Sequence, residues 1–206
     1  MKSVFGYLAA SLLLIVWSTN LSAQTQSPID GIDARTDANQ LARQLGDADP
    51  LLRQKSAEAL AKLAATSQRK VVEGYHIQEK NKEVRLALEW ALYRMGRAEM
   101  LYRIVNELDS GRQKQAIGYL SEVDSPEVLY AFLQKQNSPP RVTVGLLRAL
   151  ARVGDASSLD LIKPYRESLL PYVAEAAEIA HDEIEQRLGA PADSTTRVRP
   201  RTVAKP

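Results

Sequence analysis

The sequence predicts an all-helical protein, a right-handed α-solenoid of about five stacked helical hairpins, and two observations carry that expectation. First, Leu60, Leu92, Leu120 and Leu150 recur about every thirty residues, each followed three residues on by a second apolar residue: Leu63, Met95, Val123 and Val153. Second, helix-favouring Ala, Leu, Glu, Gln, Arg and Lys dominate residues 37–189, while Gly and Pro fall mostly between the apolar periods.

The elements follow in order. Asp37, with Gln40 three residues on, is placed to cap a first helix running through Leu41 and Leu45 to Gly46. Asp49-Pro50 supplies a favoured N-cap and first-turn proline for a second helix with Leu52, Ser56, Ala59, Leu60 and Leu63 on one face. The second hairpin puts Val71, Val72 and Tyr75 on its outer helix and turns at Asn81-Lys82. It returns through Val84, Ala87, Leu88, Ala91, Leu92 and Met95 to Gly96. A third runs from Met100 through Ile104, Val105 and Leu108, turns at Asp109-Ser110-Gly111, and returns through Ala116, Ile117, Leu120 and Val123. Ser125-Pro126-Glu127 caps the fourth, which places Val128, Leu129, Phe132 and Leu133 inward and breaks at Ser138-Pro139-Pro140. Its returning helix carries Val142, Leu146, Leu147, Leu150 and Val153 to Gly154. The last pair spans residues 159–165 and about 172–188, with Pro164 and Pro171 between. The acidic Glu175, Glu178, Asp182, Glu183 and Glu185 give the final helix the polar outer side that an end cap needs.

The ends of the chain differ from this body. A positive start at Lys2, an apolar stretch over residues 4–17 and a small residue at Ala23 fit a secretory signal peptide over residues 1–23, with a flexible segment over 24–36. The apolar stretch is shorter than the ~20 residues of a spanning helix, and an uncleaved anchor is the alternative. An exported, periplasmic protein is the expectation. With no cysteine, the chain forms no disulfide, so stability comes from packing alone. From Gln24 onward 26 basic residues face 25 acidic ones, a balance that disfavours nucleic acid as a partner. Residues 190–206, rich in Pro, Ser and Thr, read as a disordered tail. Its Arg197, Arg199, Arg201 and Lys205 against Asp193 make a basic patch suited to weak contact with anionic lipid or cell-envelope polymer.

At the level of motifs the chain resembles the HEAT-repeat family, in particular the short bacterial repeats related to those of phycobilisome lyases. The residues that carry the resemblance are Asp49-Pro50-Leu51-Leu52-Arg53 with Ala57, Ala59-Leu60 and Leu63, then Glu83-Val84-Arg85 with Ala91-Leu92 and Met95-Gly96, then the run from Leu147 to Asp155. The resemblance covers residues 37–189 and implies the stacked-hairpin fold. It does not imply one activity, because such repeats serve scaffolds, adaptors, inhibitors and a few enzymes.

Candidate chemistry is sparse. His76 reads as a surface or edge histidine, with no second ligand at metal spacing. Glu178, His181 and Glu185 share one helical face, and a solvated acidic face is the expectation there, with no metal and no cofactor. HEAT-like di-iron hydroxylases use His-Glu pairs, whereas here His76 precedes Ile77 and His181 precedes Asp182. No glycine-rich phosphate loop or nucleophile paired with a histidine is present. The unusual residues are aromatic. On the helix from Val84 to Met95 a second stripe, Leu86, Trp90 and Tyr93 with neighbouring Arg94, stands beside a core face that is already complete. Equivalent positions are Gln54, Glu58 and Ala61 in the first repeat and Val144, Arg148 and Ala151 in the fourth. An exposed patch that anchors a partner is one expectation for this stripe. Packing under Ile29 and Ile32, or against the next repeat, is the other.

The reading is a non-catalytic protein-protein interaction module or scaffold, the alternative being an enzyme or small-ligand carrier with a pocket on its concave face. Export is checked by N-terminal sequencing of protein from a periplasmic extract. A mature chain beginning at Gln24 is the expected result, and intact Met1 on cytosolic protein is the contrary one.

Overall fold

A computed structural model describes residues 29–189, and side-chain surroundings from Asp37 onward. The signal segment 1–23 and the tail 190–206 with Arg197, Arg199, Arg201 and Lys205 lie outside the described residues. Among the described residues there are ten α-helices and no strand: α1 (Ile29–Gln44), α2 (Pro50–Lys62), α3 (Arg69–Gln78), α4 (Lys82–Arg94), α5 (Met100–Asn106), α6 (Gln113–Leu120), α7 (Glu127–Leu133), α8 (Pro140–Val153), α9 (Ala156–Arg166) and α10 (Pro171–Gly189). None of them is long and apolar enough to cross a membrane.

The caps read from sequence act at several of these boundaries. Asp49 accepts from the Leu51 N–H at 2.9 Å with Pro50 opening α2, and Asn81 accepts from Glu83 and Val84 N–H groups at 3.0 Å to open α4. Asp155 and Ser158 form a reciprocal capping box at the start of α9. Three boundaries differ from expectation. The first helix starts at Ile29 and not at Asp37, so residues 29–36 of the expected flexible segment are helical. The chain from Ile29 to Gln44 holds no proline, and its one glycine, Gly31, costs only about 1 kcal/mol in a helix, so Asp37 has nothing to cap. Ser125 does not cap α7, which opens at Glu127 with Pro126 at the N-cap and no side-chain acceptor. Pro164 lies inside α9, near its C-terminal end, where the missing N–H removes a single hydrogen bond.

Packing follows the pairing of odd with even helices: α1 lies on α2, α3 on α4, α5 on α6, α7 on α8 and α9 on α10. The even helices also contact one another in sequence, α2 with α4, α4 with α6, α6 with α8 and α8 with α10. Their shared seam is one apolar core holding Leu60, Leu92, Leu120 and Leu150, all buried. Two glycines permit close approach along it. A Cβ at Gly145 would lie 2.7 Å from Leu108 Cδ2, and one at Gly154 would lie 2.5 Å from the Leu150 carbonyl and 2.6 Å from Ile184 Cδ1. The residues three past each marker leucine divide. Met95 and Val123 are buried, whereas Leu63 is 46% exposed in a shallow cleft beside Leu41 and Ala59. Among the described residues α2 has an inner neighbour on one side only, α4, so the first repeat cannot bury Leu63 as later repeats bury its counterparts.

This division has a measurable consequence. Leu92→Ala is expected to cost about 2–5 kcal/mol in denaturant unfolding, a large part of a typical domain's stability. Leu63→Ala is expected to stay within about 0.5 kcal/mol of the parent.

Candidate functional site

The aromatic stripe of α4 is intramolecular. Leu86 and Trp90 are 1% and 3% exposed and Tyr93 is only partly open, so the expected exposed patch at Leu86, Trp90, Tyr93 and Arg94 does not form. The reason lies on α6. The Tyr119 ring stacks on Trp90 with centroids 5.5 Å apart and 2° between planes, and its hydroxyl continues past α4 to donate to Glu58 Oε1 on α2 at 2.6 Å. Gln54 donates to the same carboxylate oxygen at 2.9 Å, and Gln115 donates to the Tyr119 hydroxyl at 2.8 Å. Burial, reinforced by the Glu58 carboxylate, raises the Tyr119 phenol well above its ordinary range, so it stays protonated as a donor. Tyr93 stacks on the same indole at 5.6 Å, and the Arg94 guanidinium lies 5.6 Å from its centroid while donating to Asp124 at 2.7 Å. Of the two expectations for the stripe, packing against the next repeat is the one realised, and the side chains of Ile29 and Ile32 lie outside those described.

The histidines also differ from a surface reading. His76 is largely enclosed, with Nε2 hydrogen-bonded to Glu89 Oε1 at 3.1 Å, and Arg103 stands 3.8 Å from that oxygen. Glu89 is buried on α4, and a buried carboxylate requires such partners. On α10 Glu178 is taken up by Arg166 at 2.5 and 2.9 Å, which leaves His181 Nδ1 3.6 Å from Glu185 and 3.7 Å from Asp182. Those three donors lie within 4.8 Å of one another, the two carboxylates being exposed.

Four helix positions along, the same register borders a groove. Val144, Arg148 and Ala151, the counterparts on α8 of Leu86, Trp90 and Tyr93, line a groove of about 490 Å³ between α6 and α10. Where α6 lays Tyr119 across α4, α10 offers at the matching place the shorter Ile179, 49% exposed; Val144 and Ala151 are buried at the groove floor, and of the three counterparts Arg148 alone is exposed. Ile117, Val144, Ala151 and Ile179 form the apolar lining, with half-exposed Tyr172 at one end. Arg141, Arg148 and Arg152 run along α8, and Glu175 and Glu183 along α10. Arg141 donates to the Ser110 carbonyl at 3.1 Å. Among the described residues, Arg148, Arg152, Glu175 and Glu183 form no ion pair within 4.0 Å, although they face one space.

The perturbed titratable groups sit elsewhere, at joints between helices. Tyr130 is pushed up to about 12, by burial first and then by Asp155, to which it donates at 2.7 Å; Asp155 is held below its ordinary value by the same bond. Burial raises Glu79, but the Arg53 guanidinium at 2.8 Å and the Asn81 backbone N–H at 2.8 Å together outweigh it and leave that carboxyl lowered.

No family model and no curated protein matches the chain. Among solved structures it is similar to an engineered protein from a structural-genomics programme, with a TM-score of 0.36 and 20% identity over 78% of this chain and 85% of that one. It is also similar to human deoxyhypusine hydroxylase in complex with glycerol, with a TM-score of 0.32 and 17% identity over 75% of each chain. Likenesses of this degree carry no functional argument, and the functional reading rests on the groove itself.

Two substitutions check the closed half. Trp90→Ala is expected to lose about 3–5 kcal/mol of folding stability. Tyr119→Phe, which strands Glu58 without its strongest donor, is expected to lose about 1–3 kcal/mol. Undiminished stability of Trp90→Ala in urea unfolding would return the stripe to the surface.

Proposed function

We propose that this chain is an exported, non-catalytic HEAT-like solenoid that binds another protein through the groove formed by α6, α8 and α10. The solenoid reading is supported by the serial contacts of the even helices, each odd helix lying outside its partner. The observation that carries the docking reading is the set of four charges facing one apolar-lined space without pairing. Charges left apart in a groove, with half-exposed Tyr172 and Ile179 between them, are groups that a protein surface of matching pattern can satisfy. Catalysis is disfavoured because the shifted titratable groups are occupied in helix-to-helix hydrogen bonds away from the groove. Export rests on residues 1–23, and a weak contact of the basic tail with anionic surface rests on Arg197, Arg199, Arg201 and Lys205.

The test places a photo-crosslinking amino acid at Ile179 or at Arg148 in living cells, with Glu127 on α7 as the control position. Protein adducts at Ile179 and Arg148 but not at Glu127 are the expected outcome. Absence of protein adducts at both groove positions overturns the docking reading.

A further inference from the structure

We propose that the partner received by the groove is a second copy of this chain, with α10 of each copy laid over α8 of the other about a two-fold axis parallel to both helices. This rests on the reading of the groove as a protein-docking surface and adds the identity of what docks.

The level of α10 against α8 is fixed by contacts at one end. Arg187 donates to the carbonyls of Ala151 at 2.7 Å and Gly154 at 2.5 Å, and a Cβ on Gly154 would sit 2.6 Å from Ile184 Cδ1. Residue 184 is therefore level with residue 154. Because α8 ends at Val153, the rest of α10 can pack along it only by running parallel to it, and levels then match at an offset of thirty residues. Counted back on that offset, Glu183 is level with Val153, next to Arg152. Ile179 is one residue from the level of Arg148, and Glu175 falls between Arg141 and Arg148. Within one chain these opposite charges stand on neighbouring helices, whose axes lie about 8–10 Å apart in ordinary packing, and they do not meet.

A two-fold axis running parallel to α8 and α10 preserves every level and exchanges the two helices. Glu183 of the second copy then descends beside Arg152, and Glu175 between Arg141 and Arg148, with each contact made twice. Tyr172 and Ile179, half exposed in the single chain, move over α8, whose Val144 and Ala151 are already buried at the groove floor, with Ile117 at the flank. An axis running across the helices would instead stack α8 on α8 and bring arginine onto arginine, so charge selects the parallel axis. Other occupants fit less well. The basic tail of this chain would meet the three arginines of α8, and an unrelated helix would need both signs of charge in this register, which a second copy already carries.

Sedimentation equilibrium of the protein purified from cells producing the full chain tests the proposal. A reversible monomer-dimer equilibrium is expected at concentrations up to about 200 μM, which would reveal a mid-micromolar dissociation constant. The double variant Arg148→Glu with Arg152→Glu, and separately the double variant Glu175→Arg with Glu183→Arg, should each weaken dimerisation by about ten-fold or more, because each opposes like charges at both symmetric contacts. Mixing the two variants should restore the dimer, since every contact in the mixed pair again joins unlike charges. All four positions are at the surface of the groove, and circular dichroism checks that each variant is folded. A parent chain that remains monomeric, or a dimer that both double variants leave intact, or a mixture that fails to recover association, overturns the proposal. In a monomeric parent, protein adducts at Ile179 and Arg148 would leave the groove as a docking surface for a different protein; their absence would remove both readings together.

Discussion

A helix enclosed on nearly every side imposes the strictest demand in this fold, and α4 is such a helix, as is α8, buried from Val142 to Ala151 except at Arg148. From Val84 to Leu92 every residue but Arg85 is buried, with α2, α3, α5 and α6 as neighbours. An isolated helix so apolar around its circumference has no solvent face to orient it, so its neighbours must cover it completely. Two features otherwise hard to explain then have a cause. Glu89 enters the interior with the helix and draws His76 from α3, with Arg103 nearby. Leu86 and Trp90 lie off the leucine face of the helix and are buried as well, Trp90 beneath the ring of Tyr119.

The part of this that sequence discloses is the part set by local rules. The leucine period reports which side of each inner helix is buried, because a helical face repeats in step with the chain, and Leu60, Leu92, Leu120 and Leu150 are all buried. Asp49, Asn81 and Pro140 mark starts because capping and proline geometry act within one turn. The misread features depend on distance. Nothing in the spacing of Tyr119 and Glu58, 61 residues apart, announces a hydrogen bond across an intervening helix, and without that knowledge the sequence leaves Trp90 between a surface patch and packing against the next repeat. His76 and Glu89 sit on opposite members of one hairpin, 13 residues apart, outside any helical spacing. Leu63 obeys the repeat pattern but occupies its first unit, where the pattern's partner is missing among the described residues.

The candidate site shows a subtler kind of legibility. The second stripe is readable as a register, and Val144, Arg148 and Ala151 line the groove at the same positions. What sequence could not assign was the repeat in which that register borders a groove. Bulk drew attention to Trp90, yet a large apolar side chain at such a place is the one most readily covered by its neighbour. The open repeat is marked instead by charge, with Arg148 standing where Trp90 stands, and by the exchange of Tyr119 for Ile179 on the following inner helix.

The reach of Tyr119 also divides the molecule mechanically. A phenol that leaves α6, crosses α4 and bonds to Glu58 on α2 is a strut joining three successive inner helices, and it resists any bending that would spread them. The helices α6, α8 and α10 are tied pairwise instead, α6 to α8 through Gln113 on the Arg141 carbonyl and α10 to α8 through Arg187 on the Ala151 and Gly154 carbonyls, and Ile179 is too short and too apolar to reach back across α8. A load that spreads the inner helices is therefore met in the first half by one strut spanning three of them, and in the second by separate ties between neighbours at the helix ends.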